Sequence, residues 1–116
     1  MIDGRQMKYC CLNNEREGSC YFEFRKGKQD DWNFWSDDSL YVHADLVDEL
    51  HIGELWQQAI LHFRYYGVTI ISLEDWQEVK RLSVELDAEA QGAISEMDDW
   101  LQDCFLTESC FTLLGI

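Results

Sequence analysis

The sequence lacks proline and has few basic residues, since nine Lys and Arg stand against 23 Asp and Glu for a formal net charge of −14. Because nucleic-acid phosphates and anionic lipid headgroups are also negative, this charge disfavours binding to either and favours a cationic partner. No apolar stretch reaches the length of about 18 residues typical of a membrane span, and residues 1–12 contain no signal-peptide-like run. We therefore expect a cytoplasmic protein without direct contact to nucleic acid or membrane.

Motifs of the common catalytic and metal sites are also absent. The chain has no P-loop, Rossmann glycine pattern, nucleophile elbow, zinc-protease helix or CxxC pair. Its three histidines do not follow a nucleophile pattern, and its five cysteines are an odd number without zinc-finger spacing. Free thiols are typical of the reducing cytoplasm. The sequence predicts a protein that is not an enzyme and that uses no cofactor or metal.

The charge is distributed unevenly along the chain. Residues 1–29 carry a net charge of +2, whereas residues 30–116 carry −16. Two stretches, 30–63 and 82–116, contain no Lys or Arg at all and eight carboxylates each. Since no low-complexity linker separates the halves, we expect one domain with a polarised surface.

The first third of the chain has the pattern of β-strands. Phe22 and Phe24 alternate with Glu23 and Arg25, as in a strand with one buried face. The segment Asn13–Gly18 is rich in turn residues. Within a single domain over residues 1–116, with 1–6 as a flexible tail, we expect an antiparallel meander. Its candidate strands are Gln6–Leu12, Ser19–Lys26, Asp31–Ser36 and Leu40–Ala44.

The rest of the chain favours helices. Apolar residues recur at helical spacing over three segments, Ile52–Tyr66, Leu73–Leu86 and Ala88–Phe105. We expect Gly67 to end the first and Ser72 to cap the second. A short turn of helix at Asp45–His51, a β-branched fragment at Val68–Ile71 and a final strand at Ser109–Ile116 complete the pattern. The predicted fold class is α+β, an antiparallel sheet of about four or five strands with three main helices on one face.

The first candidate binding surface is the segment DDWNFWSDD at Asp30–Asp38. An exposed tryptophan ringed by carboxylates is the chemistry of an interface that captures Arg and Lys. Alternatively, Trp32 and Phe34 belong to the core and the aspartates are turn residues. The candidate contact residues of this segment are Asp30, Asp31, Trp35, Asp37 and Asp38.

The second candidate surface is the outward side of the third predicted helix. Glu96, Asp99 and Asp103 lie opposite its apolar stripe, without an interleaved base. Like charges four residues apart destabilise a helix by a few tenths of a kcal/mol, and solvated faces usually mix signs. The stripe is therefore either a surface that binds cations or a plain solvated face.

A cytosolic, single-domain, acidic, Trp-rich α+β chain resembles the immunity proteins of bacterial polymorphic-toxin systems, most closely those of contact-dependent growth inhibition. The resemblance is carried by composition and layout, with DDWNFWSDD and the Glu89–Asp103 stripe as surfaces of the type that such proteins use. It implies binding and neutralisation of a cognate toxin domain, often a basic nuclease, and we expect a monomer that forms a 1:1 complex. Two alternatives stay open: a nucleic-acid mimic that inhibits a DNA- or RNA-binding protein, and a small carboxylate- or metal-dependent enzyme.

Overall fold

The computed structural model describes residues 7–28 and 37–115, which form an antiparallel five-stranded sheet and four helices, an α+β fold as predicted. The strands are β1 (Cys10–Cys11), β2 (Tyr21–Lys26), β3 (Leu40–His43), β4 (Val68–Ser72) and β5 (Cys110–Leu114). The helices are α1 (Ala44–Glu49), α2 (Ile52–Ala59), α3 (Leu73–Ser83) and α4 (Ala88–Cys104). The predicted strand Asp31–Ser36 lies outside the described residues.

The sheet has the strand order β1-β3-β2-β5-β4, and every neighbouring pair is antiparallel. The predicted meander is wrong at its start, because β1 pairs with β3 instead of β2, with Cys10 opposite Val42. The backbone N–H groups of Lys8, Tyr9 and Cys10 all donate to the Glu96 carboxylate of α4. These bonds hold β1 at the outer edge of β3, beside α4.

One face of the sheet packs against the helices, and each of the three longer helices contributes a tryptophan to the contact. Trp56 of α2 and Trp100 of α4 lie edge-on to Phe24 of β2, with ring centroids 5.9 and 6.4 Å away. Trp76 of α3 lies 6.0 Å from Phe111 of β5 in the same orientation. Because Phe24 and Phe111 stack on each other, the three helices share one aromatic core.

The first long helix ends earlier than predicted, at Ala59 instead of Tyr66. Phe63 packs on Trp56 and Tyr65 packs on Phe22, so two side chains only two residues apart both point into the core. Residues at that spacing do not share a helix face, and an extended backbone at Ile60 therefore ends α2. Gly67 is not the helix end.

The other helices agree well with the predictions. Ser72 accepts a hydrogen bond from the Asp75 amide and Asp75 accepts one from the Ser72 amide, the capping box that begins α3. Helix α3 ends three residues before the predicted Leu86, and α4 ends one residue before the predicted Phe105. The expected short helix near Asp45–His51 is α1.

Candidate functional site

The predicted contact residues of the first acidic surface are only partly described. Asp30, Asp31 and Trp35 lie outside the described residues. Asp37 and Asp38 are exposed in the turn before β3, and Asp37 Oδ1 accepts a hydrogen bond of 2.8 Å from Asn13 Nδ2. Both side chains therefore lie at the surface, and their role in binding stays a prediction.

The second predicted surface is divided between exposed and internally bonded carboxylates. Asp99 and Asp103 are exposed on α4, and Asp103 Oδ2 lies 3.8 Å from Lys26 Nζ. Glu96 is half-buried, and its two oxygens accept the three backbone N–H groups of residues 8–10. Glu96 therefore acts within the fold, and we leave it out of the partner surface.

Asp98, which flanks the second surface, is also engaged internally. Trp76 Nε1 and Gln102 Nε2 each donate to Asp98 Oδ1 over 2.9 Å, and Lys80 Nζ lies 3.2 Å from the same oxygen. Burial opposes ionisation, but these three donors hold the pKa of Asp98 below its ordinary value. The carboxylate connects α3 to α4.

A third acidic surface lies where α1 meets α2, and sequence reasoning did not select it. A groove of about 320 Å³ opens there, which we call the α1–α2 groove. Its lining residues are Val47, Asp48, His51, Gly53, Glu54, Gln57 and Tyr65.

Local sequence explains how the groove is built. His43 Nδ1 accepts the Asp45 amide and so begins α1, and His51 adopts a left-handed backbone with φ of 60° between the two helices. This turn brings Asp48 at the end of α1 and Glu54 in the first turn of α2 to one groove. An acidic residue in a first helical turn is stabilised by the helix dipole.

Tyr65 forms one wall of the groove. Its ring packs edge-on against Phe22, and its hydroxyl donates a 2.8 Å hydrogen bond to Asp48 Oδ1. Burial, the bond to Asp48 and the nearby Asp45 raise the pKa of Tyr65 to about 12. The hydroxyl therefore remains a donor at neutral pH.

Four carboxylate residues and one tyrosine on and near the groove form a wider surface, which we call the α1–α2 acidic face. Its members are Asp45, Asp48, Glu49, Glu54 and Tyr66. The first three lie at helical spacings that place them on one side of α1. All four carboxylate residues are exposed, and the chain contains no Lys or Arg between residues 37 and 63. Tyr66 is 78% exposed, and its ring lies 4.8 Å from that of Tyr65.

The acidic face could be found only in part from the sequence. The sequence has no Lys or Arg across 30–63, and this absence is the signal that points to the region. The apolar spacing predicts a continuous helix to Tyr66, however, and such a helix would not bring Tyr65 to Asp48. The exposed aromatic predicted at Trp35 lies outside the described residues, and Tyr66, whose ring lies beside that of Tyr65, is a further exposed aromatic that the sequence pattern did not single out.

Four of the described cysteines are at least partly buried. Burial raises the pKa of the Cys10, Cys11 and Cys104 thiols, so these three cysteines are not activated as nucleophiles. Among residues 7–28 and 37–115, no three Cys, His, Asp or Glu side chains are grouped so that they could hold a metal ion. Within the same ranges, none of the helices combines the length and apolar character needed to span a bilayer.

No protein-family model, curated protein or solved structure matches this chain.

Proposed function

We propose that this chain is an immunity protein that binds a cognate, basic toxin domain in the cytoplasm and neutralises it in a 1:1 complex. The observation that carries the proposal is the α1–α2 acidic face, where Asp48 and Glu54 line a groove that has no Lys or Arg in its lining, and where Asp45 and Glu49 are exposed on α1. A nuclease active site must be cationic to hold phosphates, so an acidic surface is complementary to it.

Surface charges and buried anchor residues have different effects on such a complex, the first on the association rate and the second on the affinity. Complementary charges accelerate association, up to about 10⁸–10⁹ M⁻¹s⁻¹ at low salt, whereas affinity comes mainly from a few buried anchors. Tyrosine is among the residues enriched at such anchors. The α1–α2 acidic face combines Tyr66 with four carboxylates, which supports its choice as the principal contact surface.

The surfaces predicted from the sequence remain part of the proposal. Asp37 and Asp38 are exposed, and so are Asp99 and Asp103. Trp35, with Asp30 and Asp31, stays a predicted anchor outside the described residues. We assign the four described carboxylates a peripheral contribution that steers association and that charge reversal can measure, while Trp35 keeps its predicted role as an anchor.

The shape of the molecule does not favour the nucleic-acid mimic. A mimic is expected to spread its carboxylates along an elongated surface, whereas this molecule extends 31 × 31 × 29 Å. The alternative of a carboxylate- or metal-dependent enzyme likewise finds no metal-ligand group among residues 7–28 and 37–115.

The experiment uses the C-terminal domain of the protein encoded immediately upstream as the candidate toxin. We expect that domain to arrest growth when produced alone, growth to recover when this chain is co-produced, and a 1:1 complex to form in calorimetry. Failure of both rescue and binding would refute the proposed function.

Variants of this chain then locate the interface. Tyr66→Ala is expected to weaken the complex by about 2–4 kcal/mol, mainly through faster dissociation. Leu106→Ala is the matched control, because Leu106 is 80% exposed but lies after α4, outside the acidic face. Reversing Asp45 and Glu49 to Lys is expected to slow association more than reversing Asp37 and Asp38 or Asp99 and Asp103. If Tyr66→Ala has no larger effect than Leu106→Ala, Tyr66 is not the anchor.

A further inference from the structure

We infer that the α1–α2 groove receives an arginine side chain of the cationic partner. This inference rests on the proposed function, which it deepens by naming the group that enters the groove. A groove of about 320 Å³ lies at the lower limit of small-ligand pockets, so it suits one long side chain better than a larger ligand.

The carboxylates of the groove offer hydrogen-bond acceptors to a ligand. Asp48 Oδ1 accepts from Tyr65, and Glu54 Oε2 lies 3.0 Å from His51 Nδ1. Within the described part of the chain, nothing donates to the second oxygen of either carboxylate. Gln57 also lines the groove. Acceptors therefore remain for a ligand that brings several donors.

The negative charge of the groove also favours a cationic ligand. Two carboxylates line it, and none of its lining residues is Lys or Arg. Glu54 is 71% exposed, so its charge is solvated in the free protein and can be shared with a partner at moderate desolvation cost.

The lining favours a guanidinium group over an ammonium group. Guanidinium is planar, presents five N–H donors in a fixed fork, and is more weakly hydrated than an ammonium ion. It also stacks on aromatic faces, and the groove has the ring of Tyr65 in its wall. A lysine ammonium would satisfy the charge, but with three donors on a compact group it would use the remaining carboxylate oxygens and the aromatic ring less fully.

Gly53 lines the groove and is the position at which a small side chain can be added to it. A Cβ atom at this position would lie 3.4 Å from Val47 Cγ1 and 3.6 Å from Tyr65 Cε2, which are ordinary contact distances at the groove wall. Gly53 is within α2, where alanine is a better helix former than glycine. Gly53→Ala should therefore narrow the groove without removing a charge or weakening the helix.

The test uses hexa-arginine and hexa-lysine peptides with the complete chain, and backbone amide NMR shifts as the readout. We expect the arginine peptide to bind more tightly and to shift the amides of residues 51–57. Glu54→Gln is expected to weaken arginine-peptide binding about tenfold, as for the loss of one charge-assisted hydrogen bond. Gly53→Ala should weaken it as well, with thermal melting confirming that each variant is folded.

Glu85→Gln is the charge-matched control, since Glu85 is exposed after α3 and outside the groove. Equal affinity for the two peptides, or equal losses for Glu54→Gln and Glu85→Gln, would mean general charge attraction and would refute the groove assignment. No effect of Gly53→Ala in a folded variant would also refute it.

The same variants separate this inference from the proposed function. If the candidate toxin domain binds the native chain and both groove variants equally well, the groove assignment is wrong and the proposed function stands. If the arginine peptide binds in the groove but the toxin domain does not bind at all, the proposed function is wrong and the groove remains a guanidinium site.

Discussion

At the scale of single residues, Glu96 illustrates how one carboxylate can be structural while resembling a surface charge in the sequence. Its Oε2 accepts the Lys8 amide at 2.6 Å, and its Oε1 accepts the Tyr9 and Cys10 amides at 2.9 Å. Hydrogen bonds to an ionised acceptor are roughly twice as strong as neutral ones. This side chain thus attaches the first strand to the last helix.

We predict that Glu96→Gln destabilises the protein by about 1–3 kcal/mol, because one of the two carboxylate oxygens is replaced by an NH₂ group that faces backbone donors. Urea unfolding is the measurement. Glu85→Gln, at an exposed carboxylate after α3, is the control and should change the free energy of unfolding by less than about 0.5 kcal/mol. Equal stabilities of the two variants would show that the bonds to residues 8–10 contribute little.

At the scale of secondary-structure elements, Asp98 couples two helices. Its carboxylate on α4 accepts the indole N–H of Trp76 on α3 and lies beside Lys80 of the same helix. Trp76 is fully buried, so its N–H would lose an essential partner without Asp98. The α3–α4 contact therefore depends on an ionised group.

The pH dependence of stability follows from this contact. The pKa of Asp98 in the folded state lies below its ordinary value of 3.8, so the stabilisation is fully present above that value. It is lost as the pH falls through the folded-state pKa. We predict that Asp98→Asn lowers stability at pH 7 by about 1–2 kcal/mol.

Measurement of urea midpoints between neutral pH and pH about 3 tests this assignment. The difference between the native protein and Asp98→Asn should shrink on acidification, while Glu85→Gln should follow the native curve. A difference that stays constant with pH would mean that the ionisation of Asp98 is irrelevant to the α3–α4 contact.

At the scale of the whole molecule, the net charge of −14 governs which partners can approach. We predict no useful affinity for unrelated duplex DNA, because binding would bring a polyanion to an acidic protein. Fluorescence anisotropy at about 150 mM salt is the measurement. A micromolar complex would overturn the charge argument and would require the basic N-terminal part, residues 1–29, to act on its own.

The local sequence pattern was sufficient to predict much of this fold. The α+β class, the start of α3 at Ser72 and nearly the whole span of α4 follow from apolar spacing and capping residues, which act over a few residues. The regional absence of bases was likewise visible in the sequence. These features are local, so a single sequence contains them directly.

Contacts between distant parts of the chain decided the rest. The pairing of β1 with β3 depends on Glu96, 86 to 88 residues away from the amides that it accepts. The end of α2 at Ala59 depends on Phe63 and Tyr65 packing in a core built largely from other elements, and the groove depends on Tyr65 reaching Asp48. Periodicity cannot reveal such contacts, because it records which face of an element is apolar and not which element covers that face.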